Sequence, residues 1–393
     1  MFFHGYRREN GTYGVRNHVA VMSSVICANG VVDEIARQVP EVLPLTHTHG
    51  CGPNKEITLR TLSGIGRNPN LAAILIIGLG CEDCGASEVA GAVASSGKPV
   101  EYLVIQETGG TYKTARKGTE IVRKMLSHAQ QEKRVEAGLE HLTLGFECGG
   151  SDAFSGITAN PAVGVTADML VAEGGTAIIS EIPEMVGTAH LLKRRAANPG
   201  VSKKIEAYVK LGTEVSDWEA YRNSSRAIAS GNMEGGLTSI IEKSLGCIMK
   251  GGTSTITDCV PYAMKPKTKG LVIMETDGAD IESMTGMAAG GAQVIIFTTG
   301  RGSPAGFSGA PVIKVVTNST TYKNLKDDLD INAGVIIDGD KTIQEVGKEI
   351  FEFMVEVTNG ELTKSEKNKQ NLFAIRQEGF NYPTLADVAS KCL

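Results

Sequence analysis

The chain has 393 residues, of which 41% are apolar, and its net charge is −5. This length predicts two or three domains with substantial cores, and the mildly acidic charge without a basic stripe excludes nucleic acid as an expected partner. The N-terminus lacks the apolar stretch of a signal peptide, and no segment reaches the ~18 consecutive apolar residues of a membrane span. We therefore expect a soluble, cytoplasmic protein with no membrane partner.

Apolar runs bounded by polar turns predict strands along most of the chain. These runs cover residues 19–25, 42–46, 71–79, 100–105, 142–148, 176–180, 271–275, 292–298 and 312–316. Helical patterns lie between them, at residues 28–38, 57–65, 113–129, 163–173 and 203–230. A last strand–helix unit is predicted over residues 335–357.

The alternation of strands and helices predicts an α/β fold: parallel or mixed sheets with flanking helices, in two Rossmann-like βαβ domains. The charged stretch 130–138 is interpreted as a junction. We therefore expect one α/β domain over residues 1–135 and a second over residues 136–393. Open sheets of this kind bind ligands beyond the carboxyl ends of their strands, and the loops rich in glycine and cysteine follow those ends here.

Eight cysteines in a chain of this length do not indicate a disulfide framework. Cys51, Cys81 and Cys148 each lie beside glycine in a polar turn, which favours metal ligation or catalysis. One thiol from each of three loops would leave an iron coordination position open for substrate. The alternative is that these thiols only pack in the interior. Cys84 is a spare thiol that could also be a ligand.

Two polar loops carry further candidate residues. His47, His49 and Lys55 lie close to Cys51 in the sequence, and imidazole with thiolate suits iron or zinc, although surface histidines in a glycine loop are the alternative. Arg301 stands in a Gly-Arg-Gly turn after a predicted strand, where a guanidinium and backbone N–H groups suit a carboxylate or phosphate. Lys250 precedes a similar polar turn.

Short segments in order along nearly the whole chain carry a family resemblance. They are residues 5–17, 46–52, 78–82, 106–110, 147–156, 160–161, 181–184, 231–232, 235–238, 242–246 and 297–304. Together they resemble the core of the altronate/galactarate dehydratases, and the Glu-Cys-Gly-Gly-Ser-Asp run at 147–152 is the most recognisable part.

The resemblance implies a hydro-lyase that converts a sugar acid to a 2-keto-3-deoxy acid by metal-assisted removal of the proton beside the carboxylate. It implies ferrous iron, although Cys51, Cys81 and Cys148 also fit a three-cysteine 4Fe–4S cluster. The large subunit of sulfolactate sulfo-lyase, which releases sulfite, is the first alternative. A non-catalytic subunit that binds sugar acids is the second.

The resemblance also suggests residue roles and partners. The candidate catalytic residues, with a histidine or lysine as general base, are His47, His49, Lys55, Glu147 and Asp152. The candidate substrate-binding residues are Arg16, Asn17, Lys250 and Arg301. Family members often carry a small β-rich domain ahead of this core, whose motifs begin here at residue 5, so we expect a separate small β-rich subunit and an oligomer.

Overall fold

The computed structural model describes residues 1–52, 54–222 and 228–376. Residues 223–227 of the predicted helix 203–230, and residues 377–393 of the predicted second domain, lie outside the described residues. The strands are β1 Phe2–Arg7, β2 Tyr13–Gly14, β3 His18–Ser23, β4 Leu43–Leu45, β5 Leu71–Gly78, β6 Val100–Val104, β7 Val135–Gly138, β8 Thr143–Cys148, β9 Thr176–Ile179, β10 Ile256–Val260, β11 Gly270–Met274, β12 Val294–Thr299, β13 Val312–Val316 and β14 Ile331–Asn332. The α-helices are α1 Asn29–Gln38, α2 Lys55–Arg67, α3 Ala86–Ala94, α4 Ile105–Thr108, α5 Thr111–Ala129, α6 Ala159–Ala172, α7 Ala189–Lys193, α8 Pro199–Arg222, α9 Ser230–Glu234, α10 Ile240–Cys247, α11 Asp280–Ala289, α12 Ser319–Asn324, α13 Val335–Asp338, α14 Ile343–Thr358 and α15 Lys364–Lys367.

The first parallel sheet has the strand order β4-β3-β5-β6. Every residue of β5 is buried, as expected for a central parallel strand whose two faces are both covered by helices. Helices α1 and α5 cover one face, and α2 and α3 cover the other. The strand has a continuous apolar sequence because both of its faces are buried.

The second sheet is also parallel and has seven strands, in the order β10-β11-β9-β8-β12-β13-β14. Helices α6 and α14 pack on one face, and α11 packs on the other, against α2 of the first unit. This approach is close, because a Cβ at Gly64 would lie 2.6 Å from the carbonyl oxygen of Ala289. One core of apolar side chains therefore joins both sheets through the helices between them. These sheets confirm the predicted α/β fold with flanking helices.

A small antiparallel sheet, β2-β1-β7, was not predicted. Its strand β7 lies inside the stretch that was interpreted as a junction, and its short polar sequence VEAG gives no apolar run. The predicted division between residues 135 and 136 falls at the start of β7 and stays a prediction.

The strand predicted at the start of residues 335–357 is wrong. Val335–Asp338 is a helical turn, and α14 follows it. The three consecutive β-branched residues at 335–337 mimic a strand, but Thr342 and Glu345 form a capping box that begins a helix five residues later. The preceding strand is the two-residue β14.

Both parallel sheets reverse their winding direction at one point. The reversal lies between β3 and β5 in the first sheet and between β8 and β12 in the second. Ligands of open parallel sheets bind in the crevice at such points, beyond the carboxyl ends of the strands. Among the described residues, no helix has both the length and the apolar character needed to cross a membrane.

Candidate functional site

Four buried side chains with metal-ligating atoms meet at the carboxyl edge of the second sheet. Cys148 is the last residue of β8, Glu181 and Glu184 follow β9, and Cys247 ends α10. Their sulfur and carboxylate oxygen atoms all lie within 4.8 Å of one another. The four residues, which we call the Cys–Glu cluster, therefore bring three separate chain segments to one point beside the reversal between β8 and β12.

The backbone at Glu181 explains why both carboxylates point to the same place. Glu181 has φ 66° and ψ 59°, a left-handed conformation that a non-glycine residue seldom adopts. Its N–H donates to the hydroxyl of Thr276 at 2.7 Å, and a 3-10 turn over Ile182–Met185 follows directly. The turn returns Glu184 toward Cys148. Strained backbone of this type concentrates at functional sites.

Two lysines neutralise the two carboxylates. Lys250 Nζ lies 2.5 Å from Glu181 Oε2, and Lys243 Nζ lies 2.5 Å from Glu184 Oε1. Burial alone would lower the pKa of both lysines, but the neighbouring thiols and carboxylates raise it above its ordinary value. Both ammonium groups therefore stay charged in the interior.

The thiol of Cys148 is held by the carboxylates. Its Sγ donates to Glu184 Oε2 at 2.9 Å and lies 3.4 Å from Glu181 Oε1. A hydrogen bond with Cys247, burial and the two carboxylates all raise the pKa of Cys148. Without a cation in the cluster, this thiol therefore keeps its proton.

The donor set fits one divalent cation. Metal–ligand bonds of about 2.0–2.3 Å place the ligand atoms around one ion within about 4.6 Å of each other, close to the spacing seen here. The charges of the two carboxylates and the two ammonium groups cancel. A divalent cation that displaces two thiol protons therefore leaves the net charge of the site unchanged. Thiolate with carboxylate suits iron or zinc. The cluster has two thiols, one fewer than the iron–sulfur alternative requires.

A cavity of about 280 Å³ opens on the cluster. Its inner end is formed by Cys148, Glu184, Cys247 and Lys243. The remaining lining residues are Ser151, Asp152, Ala153, Ser155, Gly156, Ile157, Asn160, Leu237, Glu242, Leu245, Gly246 and Met249. A small acid could therefore reach the cluster from solvent.

Glu147 lies behind the cluster and is fully buried. Its Oε2 accepts hydrogen bonds from the hydroxyls of Ser180 and Ser283, while its Oε1 has no donor facing it. Burial, and then the charge of Glu181, raise the pKa of Glu147 well above its ordinary value. Glu147 also hydrogen-bonds with the side chain of Glu181, and a protonated Glu147 can donate to that carboxylate. Glu147 is therefore a neutral carboxyl that supports Glu181.

The three cysteines predicted to share a metal are not assembled in this structure. Cys148 is buried in the Cys–Glu cluster, whereas Cys51 and Cys81 are exposed on loops of the first sheet. Among the described residues, the Cys–Glu cluster is the one group of three or more such ligands within bonding distance of a shared ion. The predicted grouping has no geometric support and stays a prediction, as does the ligand role of the buried Cys84.

The predicted general bases lie at the first sheet. The ring of His47 is engaged on both sides: Nε2 lies 2.9 Å from Ser23 O, and Nδ1 accepts the N–H of His49 at 3.1 Å. Burial lowers the pKa of His47 to about 4. His49 bonds Thr58 at 2.9 Å, and Lys55 pairs with Glu88. None of the three lines the described cavity, so their catalytic roles stay predictions.

Arg16 joins the N-terminal segment to the C-terminal helices. Its guanidinium donates to both oxygens of Glu366 and to the carbonyl oxygens of Val15, Val357 and Glu361. All five N–H donors of the side chain are thereby used. Asn17 donates to the carbonyl of Ala129 at 2.8 Å. Neither Arg16 nor Asn17 lines the cavity, and substrate contact stays a prediction for both.

The remaining predicted residues lie in or near the cavity wall. Lys250 is fully buried behind Glu181. Asp152 lines the cavity, but its carboxylate accepts four hydrogen bonds, from Phe154 N and from the side chains of Ser155, Thr317 and Asn318. Arg301 is exposed and pairs with Glu234 at 3.2 Å.

Sequence reasoning gave no role to Glu181 or Cys247 and left the role of Glu184 open. A signal for Cys247 was present, since Gly246-Cys247 repeats the Gly-Cys pair of the loops at Cys51 and Cys81. No local pattern indicates that a turn after β9 brings two carboxylates to these thiols. That assembly depends on contacts between distant segments.

Comparisons with known proteins cover almost the whole chain. The family model described as D-galactarate/Altronate dehydratase, C-terminal, matches residues 139–381. The model described as D-galactarate dehydratase/Altronate hydrolase, second domain, matches residues 5–130. Both parallel sheets therefore fall within matched regions.

Three curated relatives have similar identities. Altronate dehydratase of Bacillus subtilis (strain 168) is 36% identical over 96% of this chain and 78% of its own length. Galactarate dehydratase (L-threo-forming) of Escherichia coli (strain K12) is 35% identical over 91% of this chain and 73% of its own length. The (2R)-sulfolactate sulfo-lyase subunit beta of Chromohalobacter salexigens is 33% identical over 93% of this chain and 94% of its own length.

Proposed function

Because the chain belongs to the D-galactarate/altronate dehydratase family, we propose that it is a hydro-lyase that dehydrates a sugar acid at the Cys–Glu cluster. The C2–H and C3–O bonds of the acid break, water leaves, and the enol that remains tautomerises to a 2-keto-3-deoxy acid. No oxidant or reductant is needed. The observation that carries the proposal is the meeting of two buried thiols and two buried carboxylates at the inner end of an open cavity.

The proposed cofactor is one ferrous ion held by Cys148, Glu181, Glu184 and Cys247. When bound, it would supply Lewis acidity toward the carboxylate and hydroxyl oxygens of the substrate. The ion pairs with Lys250 and Lys243 hold Glu181 and Glu184 in place. Lys243 also borders the cavity, where its ammonium group, beside the pair with Glu184, can donate a further hydrogen bond to the substrate carboxylate.

A partner subunit and a reducing compartment belong to the same proposal. The sulfolactate relative is named as subunit beta of its enzyme, which supports a separate small subunit for this chain. The seven cysteines in the described part of the chain are free thiols. This agrees with the expected cytoplasmic location, where thiols stay reduced.

The test is the metal content of variants that are purified and reconstituted without oxygen. We expect about one iron per wild-type chain and a loss of at least tenfold in iron affinity for Cys247→Ala. Cys259→Ala is the matched control, because Cys259 is also a buried cysteine of the second unit and lies outside the cluster. Full iron content in a folded Cys247→Ala variant would refute the site.

Sulfolactate elimination is the second candidate, since the chain aligns with 94% of the length of that subunit. The product separates the two functions: a 2-keto-3-deoxy acid indicates dehydration, whereas sulfite indicates sulfo-lyase activity. Iron-loaded protein that binds sugar acids but eliminates nothing, with its small subunit present, would favour a non-catalytic binding subunit.

A further inference from the structure

The charges along the cavity are distributed unevenly. Lys243 is the one cationic residue among the described residues that line it, and it lies at the inner end beside the Cys–Glu cluster. Glu184 forms an ion pair with Lys243, and the carboxylate of Asp152 accepts four hydrogen bonds. The one cation of the described lining is therefore at the inner end, where the ion pair with Glu184 leaves further N–H donors of the Lys243 ammonium group for the substrate carboxylate.

The outer part of the cavity is apolar and acidic. Ile157, Leu245 and Met249 line it and are 57%, 46% and 43% exposed. The one charged group there is Glu242, whose carboxylate accepts hydrogen bonds from the N–H of Thr238 at 2.8 Å and its hydroxyl at 2.6 Å. An uncharged chain end could pack on these apolar side chains, whereas an anion would meet a like charge.

Arg301 does not change this distribution. It is outside the lining and its guanidinium pairs with Glu234. The backbone N–H of Arg301 is also committed, since it donates to Gly150 O at 2.9 Å. In this arrangement Arg301 therefore adds no cation to the lining of the outer cavity, and its predicted contact with substrate stays a prediction.

We infer that the substrate carries a single negative charge: a monocarboxylic sugar acid, with its carboxylate at the Lys243 end and a neutral hydroxymethyl group at the outer end. The inference rests on the proposed function and narrows its substrate class. Dicarboxylic sugar acids, and sulfolactate with its carboxylate and sulfonate, would place a second anion against Leu245 and Glu242. Burying an unpaired charged group is costly, so we expect at least about a tenfold loss in kcat/KM for dianions.

The experiment compares kcat/KM of the iron-loaded protein for a six-carbon aldonate and the matching aldarate, with sulfolactate as a second dianion. Leu245→Arg places a cation in the outer wall and is expected to shift the aldarate-to-aldonate ratio of kcat/KM at least tenfold toward the aldarate. Ile241→Arg is the matched control: it lies one helical turn earlier, is 45% exposed and does not line the cavity. We expect it to leave the ratio unchanged.

Competition binding separates this inference from the proposed function. If no acid is eliminated, the dehydratase proposal fails, yet tighter calorimetric binding of the aldonate than of the aldarate would still support a site for monoanions. Equal or better binding and turnover of the aldarate by the wild-type protein would overturn the inference and leave the dehydratase proposal standing, whereas preferred turnover of sulfolactate would overturn both in favour of the sulfo-lyase candidate. An unchanged ratio in Leu245→Arg would also overturn the inference.

Discussion

Replacing Lys250 by methionine tests whether the Cys–Glu cluster depends on its buried charges. Lys250 and Glu181 are both fully buried, and their ion pair is 2.5 Å long. Removing the lysine leaves an uncompensated carboxylate in the interior, which typically costs about 3–5 kcal/mol. With a urea slope of about 1–3 kcal/mol per molar, the unfolding midpoint should fall by roughly 1–5 M.

The assay is urea unfolding of chelator-treated protein, so that metal binding does not add to the stability. The second variant, Lys250→Met with Glu181→Gln, removes both charges and should recover most of the loss. Lys250 lowers the pKa of Glu181, which burial and Glu184 already raise, so its removal raises that pKa further. A raised pKa gives stability at low pH that is lost as pH rises, and the deficit of Lys250→Met should be larger at pH 8 than at pH 5. A deficit under 1 kcal/mol at pH 8, or no recovery in the double variant, would refute this reasoning.

Two further predictions concern residues that sequence analysis assigned to catalysis and substrate binding. Because burial raises the pKa of Glu147, its contribution to stability declines as pH rises toward that pKa. Glu147→Gln cannot ionise and should therefore show a shallower fall in unfolding free energy between pH 6 and pH 9 than the wild-type protein. An identical slope in both proteins would contradict a neutral Glu147. Arg16→Met leaves Glu366 without its partner and should lower the unfolding free energy by about 3 kcal/mol, while the KM of the folded enzyme stays within twofold of wild type. A large rise in KM for this variant would instead indicate that Arg16 contacts the substrate. Arg301→Met removes an exposed ion pair and should lower the unfolding free energy far less.

The parallel sheets could be predicted because burial on both faces produces continuous apolar runs, as in β5. The antiparallel sheet could not, since β1 alternates exposed and buried residues over a short length and β7 is four residues long. The site was predictable only in part. The sequence indicated that Cys148 lies in a functional loop, but the placement of Glu181 depends on a left-handed backbone held by Thr276. The role of Arg16 could not be assigned from the sequence, because a buried structural arginine and a substrate-binding arginine look the same there.

The loops of the first sheet nevertheless face the same side of the molecule as the Cys–Glu cluster. Phe373 contacts the ring of His47, with centroids 5.7 Å apart, and Arg376 binds Glu275, which directly follows β11, at 2.8 Å. Three residues span at most about 11 Å, so the carboxyl edges of the two sheets lie close together along this segment. The packing of α2 against α11 agrees, since each helix begins at one of those edges.

This arrangement limits the ways in which Cys51, Cys81 and His49 could take part in the chemistry. Their loops already lie on the same side of the molecule as the Cys–Glu cluster, so a contribution as a wall of the site requires no change in the packing of the two sheets. A contribution as ligands would require the exposed thiols to reach a cluster whose four donors are buried together. Iron content that falls in Cys247→Ala but not in Cys51→Ala would therefore assign the loops of the first sheet to the wall, and the opposite result would restore the three-loop ligand set.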